Sequence, residues 1–390
     1  MRAVMIYVQH LLGIGHLMRA RVIAEALADA GFAVHLVSGG TAIGCRMPRN
    51  VNVVQLPPIR VADASFNPLR DAGFTPIDDA YREARRAALL AAYDAARPDA
   101  VLFETFPFGR RQLRFELVPL LERIDATRPR PLVVSSVREI LQVQAKPERE
   151  REMQEWAARW FDAVLVHGDP RFARFEETYP LAGALAPPVH YTGFVLTPGP
   201  RGDGPAPPRD EVVVSAGGGG VGIQHLANAL AAQKLSRHGH LTWRVLAGPN
   251  IPDEGYRRLM ADAAPTAIVE RSRADFQALL RRARVSVSQG GYNTVLDVLS
   301  SGARPVIVPF TGNGETEQRE RGERLARLNV AVVLDDRALT PQALADAVDD
   351  AATRSFARFD FDCDGAAGTA EFFVRALAGG RPATRRTSGS

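Results

Sequence analysis

Ser288-Gln289-Gly290-Gly291-Tyr292-Asn293-Thr294-Val295-Leu296-Asp297 lies between an apolar, β-branched run (283–287) and a helix-period run that Gly302 and Pro305 close. The first run reads as a buried strand. Asn293 to Ser301 reads as a helix. Two glycines at such a strand-to-helix turn let the backbone approach a ligand closely. The helix start offers unpaired N–H groups and the positive end of a dipole, which suit a diphosphate. Asp297, one turn in, is an acceptor suited to a ribose diol. Further on, after the turn 309–314, Glu317-Gln318 supplies a carboxylate and an amide suited to sugar hydroxyls. The order phosphate, ribose, sugar points to a nucleotide-sugar site.

Working outward, strand-like and helix-like segments alternate. Strands are expected at 3–9, 33–38, 51–56, 100–104, 132–136 and 163–167, with helices at 16–30 and 78–96. A second series begins at Glu211: strand 211–215, helix 222–236, strand 242–247, then the motif region. Such alternation predicts an α/β fold of parallel sheets covered on both faces. Between the two series, residues 197–210 hold five prolines and three glycines and read as a linker. The expected organisation is a first domain over 1–196 and a second over 211–368. A last helix at about 369–378 would return to the first domain, and the tail 379–390 is expected to be disordered.

The motif stretch resembles the C-terminal signature of glycosyltransferases of the GT-B architecture, with two Rossmann-like domains facing across a cleft. It is similar to the plant-type glucosyltransferase box, to the family 28 type that includes the peptidoglycan N-acetylglucosaminyltransferase, and to a group of predicted bacterial glycosyltransferases. The resemblance implies that Gln289, Asn293 and Thr294 face the pyrophosphate, with Gly290 and Gly291 allowing the approach. It places Asp297 at the ribose and Glu317 and Gln318 at the donor sugar. Gln289 stands where the plant-type box has histidine, and Asp297 where glutamate is usual.

Gly13-Ile14-Gly15-His16-Leu17-Met18-Arg19 follows the first strand. Gly13 and Gly15 make a turn common to Rossmann-like units, but the third glycine and acidic partner of a dinucleotide fingerprint are missing. His16 titrates near neutrality and can take a proton from an acceptor hydroxyl. Related transferases carry their base here. The same segment also resembles nucleotide-sugar hydrolases of sialic-acid-like pathways, so hydrolysis, or donor binding without catalysis, stays open. Glu104 ends a buried strand, where functional side chains of parallel sheets collect. By resemblance it orients His16; otherwise it is a strand-end carboxylate bonded to backbone.

Ser215 and the run Gly217, Gly218, Gly219 and Gly220 follow the first strand of the second series and suit close approach to an anion. In the resembling families the strand end at Arg271-Ser272 packs on the base. Phe106-Pro107-Phe108-Gly109-Arg110-Arg111 is a candidate lining for the acceptor side of the cleft, although a solvated helix start is the simpler account of its arginines. Residues 57–74 lack periodicity and are expected to line the acceptor pocket. Asp360, Asp362, Asp364 and Glu371 have EF-hand-like spacing, but an acidic turn before a helix is the simpler account.

With 390 residues, 46% hydrophobic and 24% charged, the chain suits a globular two-domain protein. A net charge of +4 is too weak to argue nucleic-acid binding, though it permits peripheral contact with an anionic membrane face. No apolar run reaches the roughly 18 residues of a span. Two cysteines, Cys45 and Cys363, fit a reducing, cytoplasmic setting, and no signal peptide is expected. The sequence therefore leads to an inverting glycosyltransferase using a UDP-sugar, without metal or other cofactor, acting on an unidentified acceptor.

Overall fold

The computed structural model describes residues 1–11, 13–43, 47–61, 68–142, 147–197, 199, 207–216, 222–248, 251–273 and 275–378. Strands β1 (Ala3–Val8), β2 (Ala33–Ser38), β3 (Val51–Gln55), β4 (Ala100–Glu104), β5 (Leu132–Arg138), β6 (Ala163–His167) and β7 (Val189–Tyr191) form one sheet, ordered β3-β2-β1-β4-β5-β6-β7. Strands β8 (Glu211–Ser215), β9 (Thr242–Ala247), β10 (Ala267–Arg271), β11 (Ala283–Ser288), β12 (Arg304–Ile307) and β13 (Val332–Val333) form a second, ordered β10-β9-β8-β11-β12-β13. Paired strands in both sheets are parallel. Val4, Ile6, Val101, Leu102, Val133 and Val134 are fully buried or nearly so, as parallel strands covered on both faces require. The order reverses between β1 and β4 and again between β8 and β11. Ligand crevices of doubly wound sheets open at these switch points, beyond the carboxyl ends of the strands.

The two sheets are therefore two Rossmann-like domains of a GT-B fold. Among the described residues no helix is long and apolar enough to cross a membrane. Parts of the linker and the whole tail 379–390 lie outside the described residues, as does Cys45.

The final helix, Gly365–Ala378, starts four residues before the expected 369. Its small first turn, Gly365-Ala366-Ala367-Gly368, hid the helical period in the sequence. It is held by Gly365 N–H donating to Phe194 O at 3.0 Å, and Thr369 Oγ1 donates to Gly365 O at 2.6 Å. A Cβ on Gly365 would come within 2.2 Å of Gly193 O, and one on Gly368 within 2.4 Å of Thr192 O, so both glycines are needed for this approach. Asp362, in the acidic turn before it, donates its N–H to Asp169 Oδ2 at 3.0 Å. Among the described residues no group of three His, Cys, Asp or Glu side chains could hold a metal ion.

Ala370, Phe373 and Leu377 enter the first-domain core with Val4, Leu17, Ile23 and Leu27. Phe373 is fully buried. Phe373→Ala is expected to destabilise the protein by about 3–5 kcal/mol. Chemical denaturation followed by circular dichroism measures this, and a change below about 1 kcal/mol would mean that the helix adds little to the first domain.

Candidate active site

His16 is the second residue of the helix Gly15–Asp29, which leaves the carboxyl end of β1. Glu104 is the last residue of β4, the neighbour of β1 across the switch point. His16 Nδ1 lies 2.9 Å from Glu104 Oε1. With Glu104 ionised, Nδ1–H donates and Nε2 keeps its lone pair, directed away from the carboxylate. Burial is the main reason the His16 pKa falls to about 3; Arg110 and then Arg138 add repulsion, while the Glu104 bond opposes them. Burial alone would raise the Glu104 carboxyl, but Arg19 beside it and the His16 bond hold it well below the carboxylate range. The ring is thus a neutral imidazole with one assigned tautomer.

The Glu104 carboxylate is a hub. Arg19 donates to Oε1, Thr105 Oγ1 donates to the same atom at 3.2 Å, and Ser136 Oγ donates to Oε2 at 2.8 Å. Ser136 Oγ also lies 2.8 Å from His167 Nε2, whose Nδ1 lies 2.8 Å from Thr192 Oγ1. This chain crosses the carboxyl ends of β4, β5 and β6. His167, Ser136 and Arg138 escaped the sequence reading, although the strand-end rule that found Glu104 applies to all three. Thr105 and Arg110 adopt left-handed backbone, at φ 72° and 61°. The turn between them aims Arg110 inward, where its Nε donates to Gln9 O at 3.0 Å. Arg110 is therefore not on a solvated helix start, and Arg111 pairs with Glu152.

On the second domain, Gly291 begins the helix Tyr292–Ser301 without any side-chain cap. The helix Gly15–Asp29 likewise has no side-chain cap. The two starts meet: Asn293 Nδ2 donates to Gly15 O at 3.0 Å. A Cβ on Gly15 would approach Asn293 Nδ2 to 3.1 Å, and one on Gly290 would approach Gln318 O to 2.9 Å. Two positive dipole ends thus converge at the mouth of the cleft, one from each domain.

Glu317 opens the helix Glu317–Arg327 and faces the first domain. Arg138 bonds its Oε1, and Arg321 donates to the same atom at 2.9 Å. Arg321 also donates to Glu139 Oε1 across the cleft at 2.7 Å and to Gly290 O at 2.8 Å. Arg138 Nη2 is 3.5 Å from His16 Nε2, so Glu317 and His16 flank one guanidinium. Gln318 turns inward within its own domain, its Oε1 accepting from Phe310 N–H at 3.1 Å.

Asp297 accepts from Gln277 Nε2 at 2.8 Å, and burial raises its pKa to about 6 against that bond. Ser215 and Ser288 are register partners at the ends of β8 and β11. Their hydroxyls have no hydrogen-bond partner among the described residues, and neither has either ring nitrogen of the buried His225. Buried polar groups normally find partners, so His225, on the helix that follows β8, is a further candidate that the sequence reading missed. Gln289 and Thr294 flank the Gly290–Asn293 turn, and Gly13 lies just before the first helix. Arg271 and Ser272 stand apart from the cluster. They end the edge strand β10, where Arg271 bonds Ile251 O at 2.7 Å and pairs with Asp253, and Ser272 N–H donates to Ala247 O at 2.8 Å. Gly217, Gly218 and Gly219 lie outside the described residues.

Residues 214–360 match the glycosyltransferase family 28 C-terminal domain. The UDP-N-acetylglucosamine–N-acetylmuramyl-(pentapeptide) pyrophosphoryl-undecaprenol N-acetylglucosamine transferase of Thermotoga neapolitana is 32% identical over 69 residues, 18% of this chain and 20% of that relative's length. Among solved structures, Os79 of O. sativa in complex with UDP superposes with a TM-score of 0.61 at 14% identity, covering 90% of this chain and 91% of that one. MurG of Acinetobacter baumannii gives 0.57 at 15% identity over 96% and 99%, and the calicheamicin glycosyltransferase CalG4 gives 0.56 at 16% over 98% and 96%. The chain thus has the GT-B fold, and within it residues 214–360 match the glycosyltransferase family 28 C-terminal domain.

Proposed function

We propose that this protein is an inverting glycosyltransferase that moves a hexosyl group from a UDP-sugar to an acceptor hydroxyl. One observation carries the reading: two uncapped helix starts, one from each domain, meet at Gly15 and Asn293 beside the His16–Glu104 pair. A diphosphate fits the converging N–H groups and dipoles. Asp297 would accept from the ribose, and Glu317 and Gln318 would read the sugar. His225, Ser215 and Ser288 offer further polar groups on the donor side. The structural neighbour with UDP bound supports a uridine donor.

In the proposed step the acceptor oxygen attacks the anomeric carbon from the first-domain side. Its proton passes to His16 Nε2 as the new C–O bond forms. The bond from that carbon to the diphosphate breaks, and its electron pair leaves with UDP. The helix starts and nearby arginines stabilise that charge without a divalent cation. Attack opposite to the leaving group inverts the configuration. Glu104 is a positioning residue: it fixes the tautomer and steadies the imidazolium that forms. His16 on its own is a weak base, because it is buried and because Arg110 and Arg138 face it. Donor phosphates near Arg138 would raise its pKa in the complex.

The test incubates the protein with UDP-sugars, with and without acceptor extracts, and follows the anomeric signals by NMR in the presence of a chelator. Acceptor-dependent transfer with inverted configuration is the expected result. Fast release of free sugar without acceptor would make the protein a hydrolase, and binding without release would make it a donor-binding protein.

His16→Ala is expected to keep UDP affinity and to lose about 10²–10⁴ in turnover; near-normal turnover would remove His16 from the mechanism. Asp297→Ala should weaken UDP binding by about 1–3 kcal/mol in calorimetry. The pH sign follows from a carboxyl raised to about 6 in the folded protein. Above that value Asp297 is an ionised acceptor, and as pH falls through it the charge-assisted bond is lost. UDP affinity should decline over that window in the wild type and stay level in Asp297→Asn. Equal profiles for the two proteins would contradict a ribose role.

A further inference from the structure

Arg110 differs from the other arginines of the cleft. Arg19 is paired with Glu104, Arg138 with Glu317, and Arg321 with Glu139 and Glu317. Arg110 makes one hydrogen bond, from Nε to Gln9 O, and has no carboxylate partner among the described residues. Burial, followed by repulsion from Arg138, lowers its pKa to about 10. It still carries its charge at neutral pH. The guanidinium is partly buried, and its unused donors form a fork that matches carboxylate or phosphate.

The support beneath it is fixed. Gln9 Oε1 accepts from Arg85 Nη2 at 2.5 Å, and Gln9 Nε2 donates to Ile59 O at 2.9 Å. Arg85 is fully buried and paired with Glu116. Gln9 thereby ties Arg110 to Ile59 and the described residues around it. There Arg60 and Arg70 pair as an antiparallel bridge, and Arg60 stacks on Phe74 at 3.7 Å from the ring centre. Neither Arg60 nor Arg70 has a carboxylate partner among the described residues. Among the arginines near His16, Arg110 is the one whose charge acts most strongly on it, ahead of Arg138.

The geometry points to an acceptor that carries an anionic group, a carboxylate or a phosphate, which Arg110 binds close to the hydroxyl that His16 deprotonates. This rests on the transferase reading above and names the class of its acceptor. The anion also completes the site electrostatically. It neutralises the cation that most opposes protonation of His16, so a charged acceptor makes His16 a stronger base than a neutral one does.

The experiment uses the full chain saturated with UDP, so that the donor cleft is occupied. Inorganic phosphate and 4-hydroxybenzoate are titrated by calorimetry, with methyl 4-hydroxybenzoate as the neutral control, while the His16 ring nitrogens are followed by NMR. The wild type should bind both anions better than the ester, and each anion should raise the His16 pKa. Arg110→Gln should weaken anion binding by about tenfold or more, Arg110→Lys by less, with UDP affinity kept in both as the sign of an intact fold. Comparison of phosphate with 4-hydroxybenzoate distinguishes the two anion classes. Three outcomes overturn the proposal: no anion binding to the UDP-saturated wild type, equal anion binding in Arg110→Gln, or a parallel loss of UDP affinity that makes Arg110 a donor residue. Failure of UDP to bind the wild type would instead remove the transferase reading. The same anion titration without UDP then decides whether Arg110 holds an anion at all.

Discussion

Arg321 sits almost without solvent contact between the two domains and donates to Glu139 on one side, Glu317 on the other, and the Gly290 carbonyl between them. Three groups drawn from both domains are thereby fixed to one planar fork. Glu139 follows β5 in the first domain, Glu317 opens a helix of the second, and Gly290 is the turn ahead of the helix Tyr292–Ser301. Removing this guanidinium would take from buried Glu139 its ionic partner among the described residues and leave Glu317 to Arg138 alone, a loss on the order of 3–5 kcal/mol. The arginine also lies 5.7 Å from the centre of the Tyr292 ring, whose hydroxyl donates to His167 O at 3.0 Å and accepts from Val195 N–H at 2.9 Å. Domain packing and the polar chain behind Glu104 are therefore one connected structure.

The charge pattern of the cleft is asymmetric. Helix dipoles and arginines supply positive potential from both domains, and the carboxylates that offset it are each already engaged. Glu317 is held by Arg138 in this state, so a sugar hydroxyl that takes its oxygen shares it with, or displaces, a first-domain guanidinium. Recognition of a sugar is in that sense also a statement about how closely the two domains sit.

The alternating strand and helix signals made both sheets legible, because strands buried on both faces are continuous apolar runs such as Val212-Val213-Val214. The turn at Gly290-Gly291 and the helix after it were equally plain. His16 and Glu104 were visible as strand-end and helix-start residues, and the fold sets them 2.9 Å apart. The pairings of Arg138 with Glu317 and of Arg321 with Glu139 were not visible, since they span 179 and 182 residues and no local pattern encodes them. Arg110 was misread for another reason. Local polarity suggested a solvated start, whereas left-handed backbone at Thr105 and Arg110 turns the side chain inward. The expectation at Arg271 came from resemblance and concerned the backbone at the strand end; its guanidinium, on the edge strand β10, is used by Ile251 and Asp253.

The closing helix Gly365–Ala378 gives the first domain a core made from both ends of the chain. Val4 and Leu17 pack with Phe373 and Leu377, whereas the large core of the second domain draws on residues 212–356. On a ribosome the first domain is made first but cannot be finished first. Its apolar surface over the helix Gly15–Asp29 waits uncovered while the whole second domain is synthesised. The later domain is able to complete its core while the earlier one is still open, which reverses the usual order of domain maturation.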